Sequence, residues 1–387
     1  MSPSDTTTSQ LSPSSSPPST NLDQSFSGSG AVSSAHQFDI KALELWLSKE
    51  VPEFTGPLTV EMFKGGQSNP TYKLLSPKQT YVMRAKPGPK DKLLPSAHAI
   101  EREFKVMKAL SATKVPVAKM IALCEDESVI GRAFYIMEFV EGRVLWQQDL
   151  PNMQPSERAA IYDAMNQVIA DLHSVSIEQI KAIGLEDFGR PGNYFERQIG
   201  RWSKQYLASI TQPIQEMDLL IEWLPAHLPV GKHMDLVSIV HGDYRLDNLM
   251  FDPVLPKVRA VLDWELSTLG HPLADFSYHC MTWHIQPGTF RGIQGLDLQA
   301  LGIPSEAAYI EQYCARTGLT TPRELSKDWN FYLAYNMFRI AAILQGIAKR
   351  VDAGTASSAQ AKASGERARP MAELAWKYAQ KHSQSTA

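Results

Sequence analysis

The stretch His241-Gly242-Asp243-Tyr244-Arg245-Leu246-Asp247-Asn248 places an aspartate and an asparagine with four residues between them, and Val261-Leu262-Asp263-Trp264-Glu265 follows closely. Asp243 can accept or orient a hydroxyl proton. Asn248 and Asp263 offer the hard oxygen ligands that Mg²⁺ prefers. A base, a metal-binding amide and a second carboxylate on a strand end are what phosphoryl transfer asks of a protein: an oriented hydroxyl and neutralised phosphate charge. A lone His-Gly-Asp would read as a turn whose aspartate caps local backbone. Asn248 and Asp263 at these offsets move the reading to chemistry. Glu265 shares a face with Asp263 if the strand continues, and either assists a second metal ion or satisfies loop backbone.

Composition bounds the partners. The chain has 387 residues, 43% hydrophobic and 20% charged, with a net charge of −3. That is ordinary for a globular enzyme with a sizeable core. No Lys/Arg run suggests a nucleic-acid partner, and no apolar run approaches the roughly 18 residues that span a bilayer. Cys124, Cys280 and Cys314 are scattered and odd in number, which predicts buried thiols in a reducing compartment, with the cytoplasm as default. Residues 1–35 are Ser/Thr/Pro-rich and are expected to be a disordered tail. The first basic residue is Lys41, against a presequence, and the terminal Gln384-Ser385-Thr386-Ala387 is no peroxisomal address.

Elements follow from periodicity. A helix is expected over Asp39–Val51 with Ile40, Leu43 and Leu47 on one face, strands over Leu58–Lys64, Thr71–Leu75 and Thr80–Ala85, and a helix over Ser96–Leu110. Strands around Lys119–Cys124 and Ala133–Phe139 follow, then helices over Pro155–Val175, Tyr194–Ser209, Ile214–His227, Trp329–Val351 and Glu366–Lys381. Three strands, a helix and two strands, then mainly helix, predict an α+β, protein-kinase-like two-lobe fold. Residues 36–141 make a small β-rich lobe and 142–387 a larger, mainly helical one, with ATP in the cleft between them.

Within the first lobe, Gly65-Gly66-Gln67-Ser68-Asn69 lies between two strands. A glycine pair there is by itself a hairpin. In this lobe, Gly65, Gly66, Ser68 and Asn69 are expected to cover phosphates. Arg84 stands on the third strand where a protein kinase presents a lysine, with Lys86 on the same face. Arg84 needs an acid from the following helix, for which Glu103 is chosen over Glu101. In Met137-Glu138-Phe139-Val140-Glu141-Gly142, Met137 is the expected gatekeeper, and the backbone of Glu138 and Val140 would meet adenine. His173 is read as a structural hydrogen-bonder, Asp275 as an anchor of the Asp243 loop, and His279 and His284 as too isolated for zinc.

These motifs, together with Gly270-His271-Pro272-Leu273-Ala274-Asp275, resemble the aminoglycoside phosphotransferase and choline kinase-like superfamily from about Phe38 to about His382. Phe338-Arg339-Ile340-Ala341-Ala342-Ile343, Gln345-Gly346-Ile347 and Thr355-Ala356-Ser357-Ser358 are most similar to one branch, the kinase-like domain fused to acyl-CoA dehydrogenase family members ten and eleven. The resemblance implies an ATP- and Mg²⁺-dependent phosphotransferase acting on a small-molecule hydroxyl, with 4-hydroxyacyl-CoA the leading acceptor. Choline, homoserine or aminoglycoside kinases, and a nucleotide-binding pseudokinase, are the alternatives. A CoA thioester would need basic groups and an apolar slot. Arg245, inside the loop, should face the acceptor or pin the loop, with Arg291 and Arg339 as further cations. Trp283, Trp329, Tyr335 and Phe338 could wall the slot, although helix core is the reading for most of them.

Overall fold

Along Thr71–Leu75 the side chains of Tyr72 and Leu74 are buried while their neighbours are half-buried, the alternation of a strand with one face on a core. In a computed structural model, which describes residues 28–64, 69–88, 99–288, 291–355 and 361–386, this strand lies inside a six-stranded antiparallel sheet. The strands are β1 (Ser29–Gly30), β2 (Thr59–Phe63), β3 (Thr71–Leu75), β4 (Thr80–Ala85), β5 (Met120–Cys124) and β6 (Phe134–Glu138), in the order β1-β2-β3-β4-β6-β5. Helix α1 (Ile40–Glu50) is capped by Asp39, whose Oδ1 accepts from the backbone N–H of Lys41 and Ala42. Leu43 and Leu47 of α1 pack with Tyr72, Leu74, Tyr81, Met83, Phe134 and Ile136 into the core of one sheet face. Ile40, expected on that face, is 39% exposed, because it opens the helix beyond the packed surface.

Residues 28–35, placed by composition in the polar tail, do form structure. Ser29–Gly30 pairs with β2, Ser29 Oγ donates to Glu61 Oε2 at 2.6 Å, and the backbone N–H of Lys64 donates to the carbonyl of Gly28 at 3.1 Å. Backbone pairing at a sheet edge needs no apolar side chain, so composition could not show it. Residues 1–27, the rest of that expected tail, lie outside the described residues.

Helix α2 (Ile100–Leu110) covers the other sheet face, and its Val106, Met107 and Leu110 join Tyr135 in a second core that continues into the helical lobe. The chain leaves the first sheet after Glu138 and enters a second at β7 (Arg143–Val144). Gly142 stands at this crossing, where an added Cβ would lie 2.3 Å from the carbonyl of Phe251, so only glycine fits. The larger lobe is built from α3 (Pro155–His173), α4 (Ile177–Ala182), α5 (Tyr194–Ser209), α6 (Gln215–Ala226), β8 (Ser238–Val240), β9 (Leu249–Phe251), β10 (Val258–Val261) and β11 (Thr268–Gly270). It is completed by α7 (Pro272–Cys280), α8 (Leu298–Leu301), α9 (Glu306–Thr317), α10 (Pro322–Asp352), α11 (Ala361–Gly365) and α12 (Ala368–Thr386). Two small antiparallel sheets, β10-β9-β7 and β11-β8, carry the Asp243 and Asp263 segments between them.

Candidate active site

The Asp243 loop leaves β8 at His241 and closes through a 3-10 turn, Leu246–Asn248, into β9. Gly242 adopts φ +81°, and a Cβ there would approach the carbonyl of Leu266 to 2.7 Å. Asp275, in the first turn of α7, holds the start of the loop. Its Oδ2 accepts from the backbone N–H of His241 at 2.7 Å and its Oδ1 from that of Gly242 at 2.8 Å. His173 Nε2 lies 3.2 Å from Oδ2, and the Nδ1 of the same ring pairs with the Tyr313 hydroxyl at 2.7 Å. Burial pushes the Asp275 carboxyl upward, but the hydrogen bonds from the His173 side chain and the His241 backbone N–H help to outweigh it, and the group is held below its usual range. The expected anchoring by Asp275 and the structural placing of His173 are thus both seen in the geometry.

His241 ties the two motifs together. Its Nε2 lies 2.8 Å from the carbonyl of Leu262, which can only accept, so Nε2 carries the proton. Nδ1 is then free to accept from the backbone N–H of Asp243 at 3.2 Å. One imidazole therefore sets the spacing between the Asp243 turn and the residue before Asp263.

Both oxygens of Asp243 are gripped. Asn248 Nδ2 donates to Oδ2 at 3.1 Å and to the Asp243 carbonyl at 2.8 Å, and Arg245 Nη2 lies 3.3 Å from Oδ2. The Tyr278 hydroxyl donates to Oδ1. Arg245 also pairs with Asp247 (Nε to Oδ1, 3.4 Å), whose other oxygen receives Arg291 at 2.9 Å. Arg245 therefore pins the loop and also lines a pocket beside Asp243, with Gln148, Tyr278, Met281, Thr282 and Arg291 among its walls. Arg339, offered as a further cation for the acceptor, is turned inward. It is buried, its Nη2 donates to the carbonyl of Gly242, and its guanidinium lies over the Tyr278 ring, so it cannot greet a substrate phosphate. Trp283, Trp329, Tyr335 and Phe338 are buried core side chains.

Asp263 sits past the end of β10 with φ +64°, at the head of a 3-10 turn, Trp264–Leu266. The strand does not continue, so Glu265 reaches the site from a turn and not from a strand face. Arg84 crosses from β4 to meet all three acids: Nη2 to Asp263 Oδ1 at 2.7 Å, Nε to Glu103 Oε2 at 3.1 Å, and Nη2 to Glu265 Oε2 at 3.8 Å. The preference for Glu103 over Glu101 matches this geometry, since Glu101 pairs with Lys86. Burial tends to raise the Asp263 carboxyl, but the charge and hydrogen bond of Arg84 overcome it, and the group lies below its usual range. Arg84 in turn is driven further toward its protonated form: burial opposes the charge, but Glu103 and Asp263 outweigh it.

The side chain of Asn69 turns into the lobe. It is fully buried and Nδ2 donates to Glu103 Oε1 at 2.8 Å, while Tyr135 donates to Oε2 at 3.1 Å. Asn69 thus steadies Glu103 from inside the lobe. Gly65, Gly66 and Ser68 lie outside the described residues, as do Ala356, Ser357 and Ser358. Glu138 ends β6 exposed, donating its backbone N–H to the Lys119 carbonyl at 3.0 Å and accepting the Lys119 N–H on Oε1 at 2.8 Å. Val140 and Met137 are half-buried at the crossing between sheets. The sequence reading missed Tyr278, although it stands one helical turn after Asp275 on α7, where an i, i+3 neighbour must share a face.

A small antiparallel lobe, a helical lobe and this loop between them define a protein-kinase-like fold. The chain belongs to the phosphotransferase enzyme family, whose model matches residues 59–325, and is a phosphotransferase with an alcohol group as acceptor. It is 48% identical over 330 residues to acyl-CoA dehydrogenase family member 10 of mouse, covering 84% of this chain and 30% of that protein. It is 41% identical over 343 residues to the human family member 11, covering 87% of this chain and 43% of that protein. The chain thus spans less than half the length of these relatives. A Ralstonia eutropha crystal structure, provisionally named an aminoglycoside phosphotransferase, superposes with a TM-score of 0.80 at 64% identity, covering 89% of this chain and 99% of that one. A Cryptosporidium parvum choline kinase shares the fold at a TM-score of 0.57 and 12% identity, over 90% and 95% of the two chains.

Proposed function

We propose that this chain uses ATP and Mg²⁺ to phosphorylate a hydroxyl of a small acceptor, and that the acceptor is a hydroxyacyl-CoA. The observation that carries the first part is the convergence of Asp243, Asn248 and Asp263 around a loop fixed by Asp275 and His241. In this reading residues 36–141 hold the nucleotide, with adenine at the Glu138–Val140 crossing and phosphates toward Arg84, and residues 142–387 hold the acceptor. Asp243 takes the acceptor proton as its oxygen approaches the terminal phosphorus in line.

The donor set suits Mg²⁺. Among the described residues no group of three or more His, Cys, Asp or Glu could hold a metal by itself. Mg²⁺, however, is commonly held by one or two carboxylates with substrate phosphates completing its shell. Asp263 supplies a carboxylate, Asn248 an amide oxygen whose NH₂ already faces Asp243, and Glu265 a second carboxylate nearby. When bound, the ion would neutralise phosphate charge. Arg84, now on Asp263, is the resident cation there and would turn to the phosphates.

Two observations support the acceptor class. The relatives are named acyl-CoA dehydrogenases. The carboxylates beside the pocket, Asp243 and Asp247, are each paired with arginine, so the wall offers little to a polycation or a quaternary amine. A cytoplasmic setting belongs to the same reading, supported by three buried, unbridged cysteines. Among the described residues no helix is long and apolar enough to cross a membrane. The test is acceptor-dependent ADP release with 4-hydroxyacyl-CoA, choline and kanamycin, and product mass to locate the phosphate. Turnover of the thioester alone is expected. Turnover of choline or kanamycin with none of the thioester would refute the acceptor class, and Mg²⁺-independent ATP affinity without turnover would favour a pseudokinase.

A further inference from the structure

We propose that Tyr278 and Arg339 form a positioning unit for Asp243, setting the turnover number and not the affinity for either substrate. The proposal rests on the reading of Asp243 as the base. It starts from one helix with two attachments. Asp275 and Tyr278, a turn apart on α7, hold the loop's backbone and its carboxylate respectively, so the two cannot drift independently.

Behind Tyr278 stands Arg339 of α10. Its guanidinium lies 5.1 Å from the Tyr278 ring centroid and 5.6 Å from that of Trp202, and its Nη2 reaches the Gly242 carbonyl. Arg339 is buried and, among the described residues, makes no salt bridge. A buried guanidinium without an ion-pair partner is unfavourable unless its charge acts on something. Here it lies over the Tyr278 ring, and its charge acts on Tyr335, Tyr278, Tyr194 and the Asp243 carboxylate. Arg339 therefore fixes the residue before Asp243 through a carbonyl and fixes the ring that holds Oδ1.

With Tyr278 on Oδ1 and Asn248 and Arg245 on Oδ2, the carboxylate plane is set before a substrate arrives. A base held this way meets the acceptor hydroxyl in one orientation, and small misplacements lower rates strongly. Sequence reading had offered Arg339 as one of the cations open to a substrate. The structure gives that side chain a different task, one that no contact with substrate is needed to explain.

Tyr278→Phe removes one oxygen and keeps the ring under Arg339. It would be measured in wild-type and Asp243→Asn backgrounds by turnover of 4-hydroxyacyl-CoA and, separately, by slow ATP hydrolysis, in which water replaces the acceptor. The expected result is a fall in kcat of about 10–100-fold in both assays, with both KM values, nucleotide Kd and Tm little changed, and no further fall in the Asp243→Asn background. An unchanged kcat, or an equal fall in both backgrounds, would overturn the proposal. If Tyr278→Phe does not fold, Arg339→Lys, which keeps the charge but loses the planar stack, is expected to give the same pattern and decides by the same criteria. Should wild-type enzyme hydrolyse ATP but ignore the thioester, the acceptor class fails and hydrolysis alone judges Tyr278.

Discussion

Asp275→Asn keeps the shape of a buried side chain and removes its charge. In the wild type, two oxygens accept from His241 N–H, Gly242 N–H and His173 Nε2 at 2.7, 2.8 and 3.2 Å. The asparagine can retain an oxygen toward His241 and His173, which turns its NH₂ onto the Gly242 N–H. One charge-assisted bond, worth roughly 1.5–3 kcal/mol, is lost, and an orphaned buried N–H adds about 1–3 kcal/mol, so the total is about 2.5–6 kcal/mol. For a chain of this size that corresponds to a Tm lowered by roughly 5–12 °C, at about 2 °C per kcal/mol. Because His241 and Gly242 directly precede Asp243, kcat should also fall by about 10–100-fold, while nucleotide affinity, which the proposed function assigns to the other lobe, stays near wild type. Calorimetry, steady-state kinetics and titration calorimetry with nucleotide measure the three effects.

The sign of the pH dependence gives a second check. Asp275 is held below its ordinary range when folded, so between its folded and unfolded values the unfolded chain binds more protons. Its contribution is therefore complete above the unfolded aspartate value of about 3.9 and is lost as pH falls through the folded one. The stability gap between wild type and Asp275→Asn should narrow on acidification below about pH 4. A Tm within a degree of wild type with kcat unchanged, or a gap that widens in acid, would refute the anchoring argument.

Asp243→Asn should leave fold and ATP affinity intact while lowering kcat by about 10²–10⁴-fold; retained turnover would exclude it as the base. Asp263→Ala should make ATP affinity insensitive to Mg²⁺, read by titration with and without the metal. Asn248→Ala should weaken metal dependence less than Asp263→Ala, yet lower kcat, because Asn248 also holds Asp243. Gly142→Ala forces a Cβ to within 2.3 Å of the Phe251 carbonyl and should lower Tm by several degrees through strain of about 1–3 kcal/mol; a stable, fully active variant would show that the crossing can shift.

Elements carried by local pattern were readable. Thr80–Ala85 and Tyr194–Ser209 begin and end where periodicity placed them, because their apolar residues repeat at the strand and helix periods. β1 was not readable: a serine and a glycine joined to a sheet edge by backbone pairing and one serine hydroxyl leave no trace in composition. Glu265 shows a subtler failure. Alternation assumed a strand that ends at Val261, and the left-handed turn at Asp263 has no local marker, since aspartate is only one of several residues that tolerate it.

Charged residues divide by what encloses them. Arg84 and Glu103 could be paired in advance because a kinase-like lobe puts its third strand and first covering helix in contact, and a buried arginine demands an acid. Asn69 and Arg339 follow the same rule in reverse. Each polar group satisfies a partner inside the protein, Glu103 for one and the Gly242 carbonyl for the other, and neither partner is near in sequence. Spacing along the chain can show that Asp243, Asn248 and Asp263 converge, since one loop and one adjoining hairpin bring them together. It cannot show that Tyr278 and Arg339 stand behind that loop, because α7 and α10 meet it only in the packed lobe. The candidate site was therefore written locally and its support non-locally, which is why the residues that hold Asp243 from behind are the ones that needed the fold.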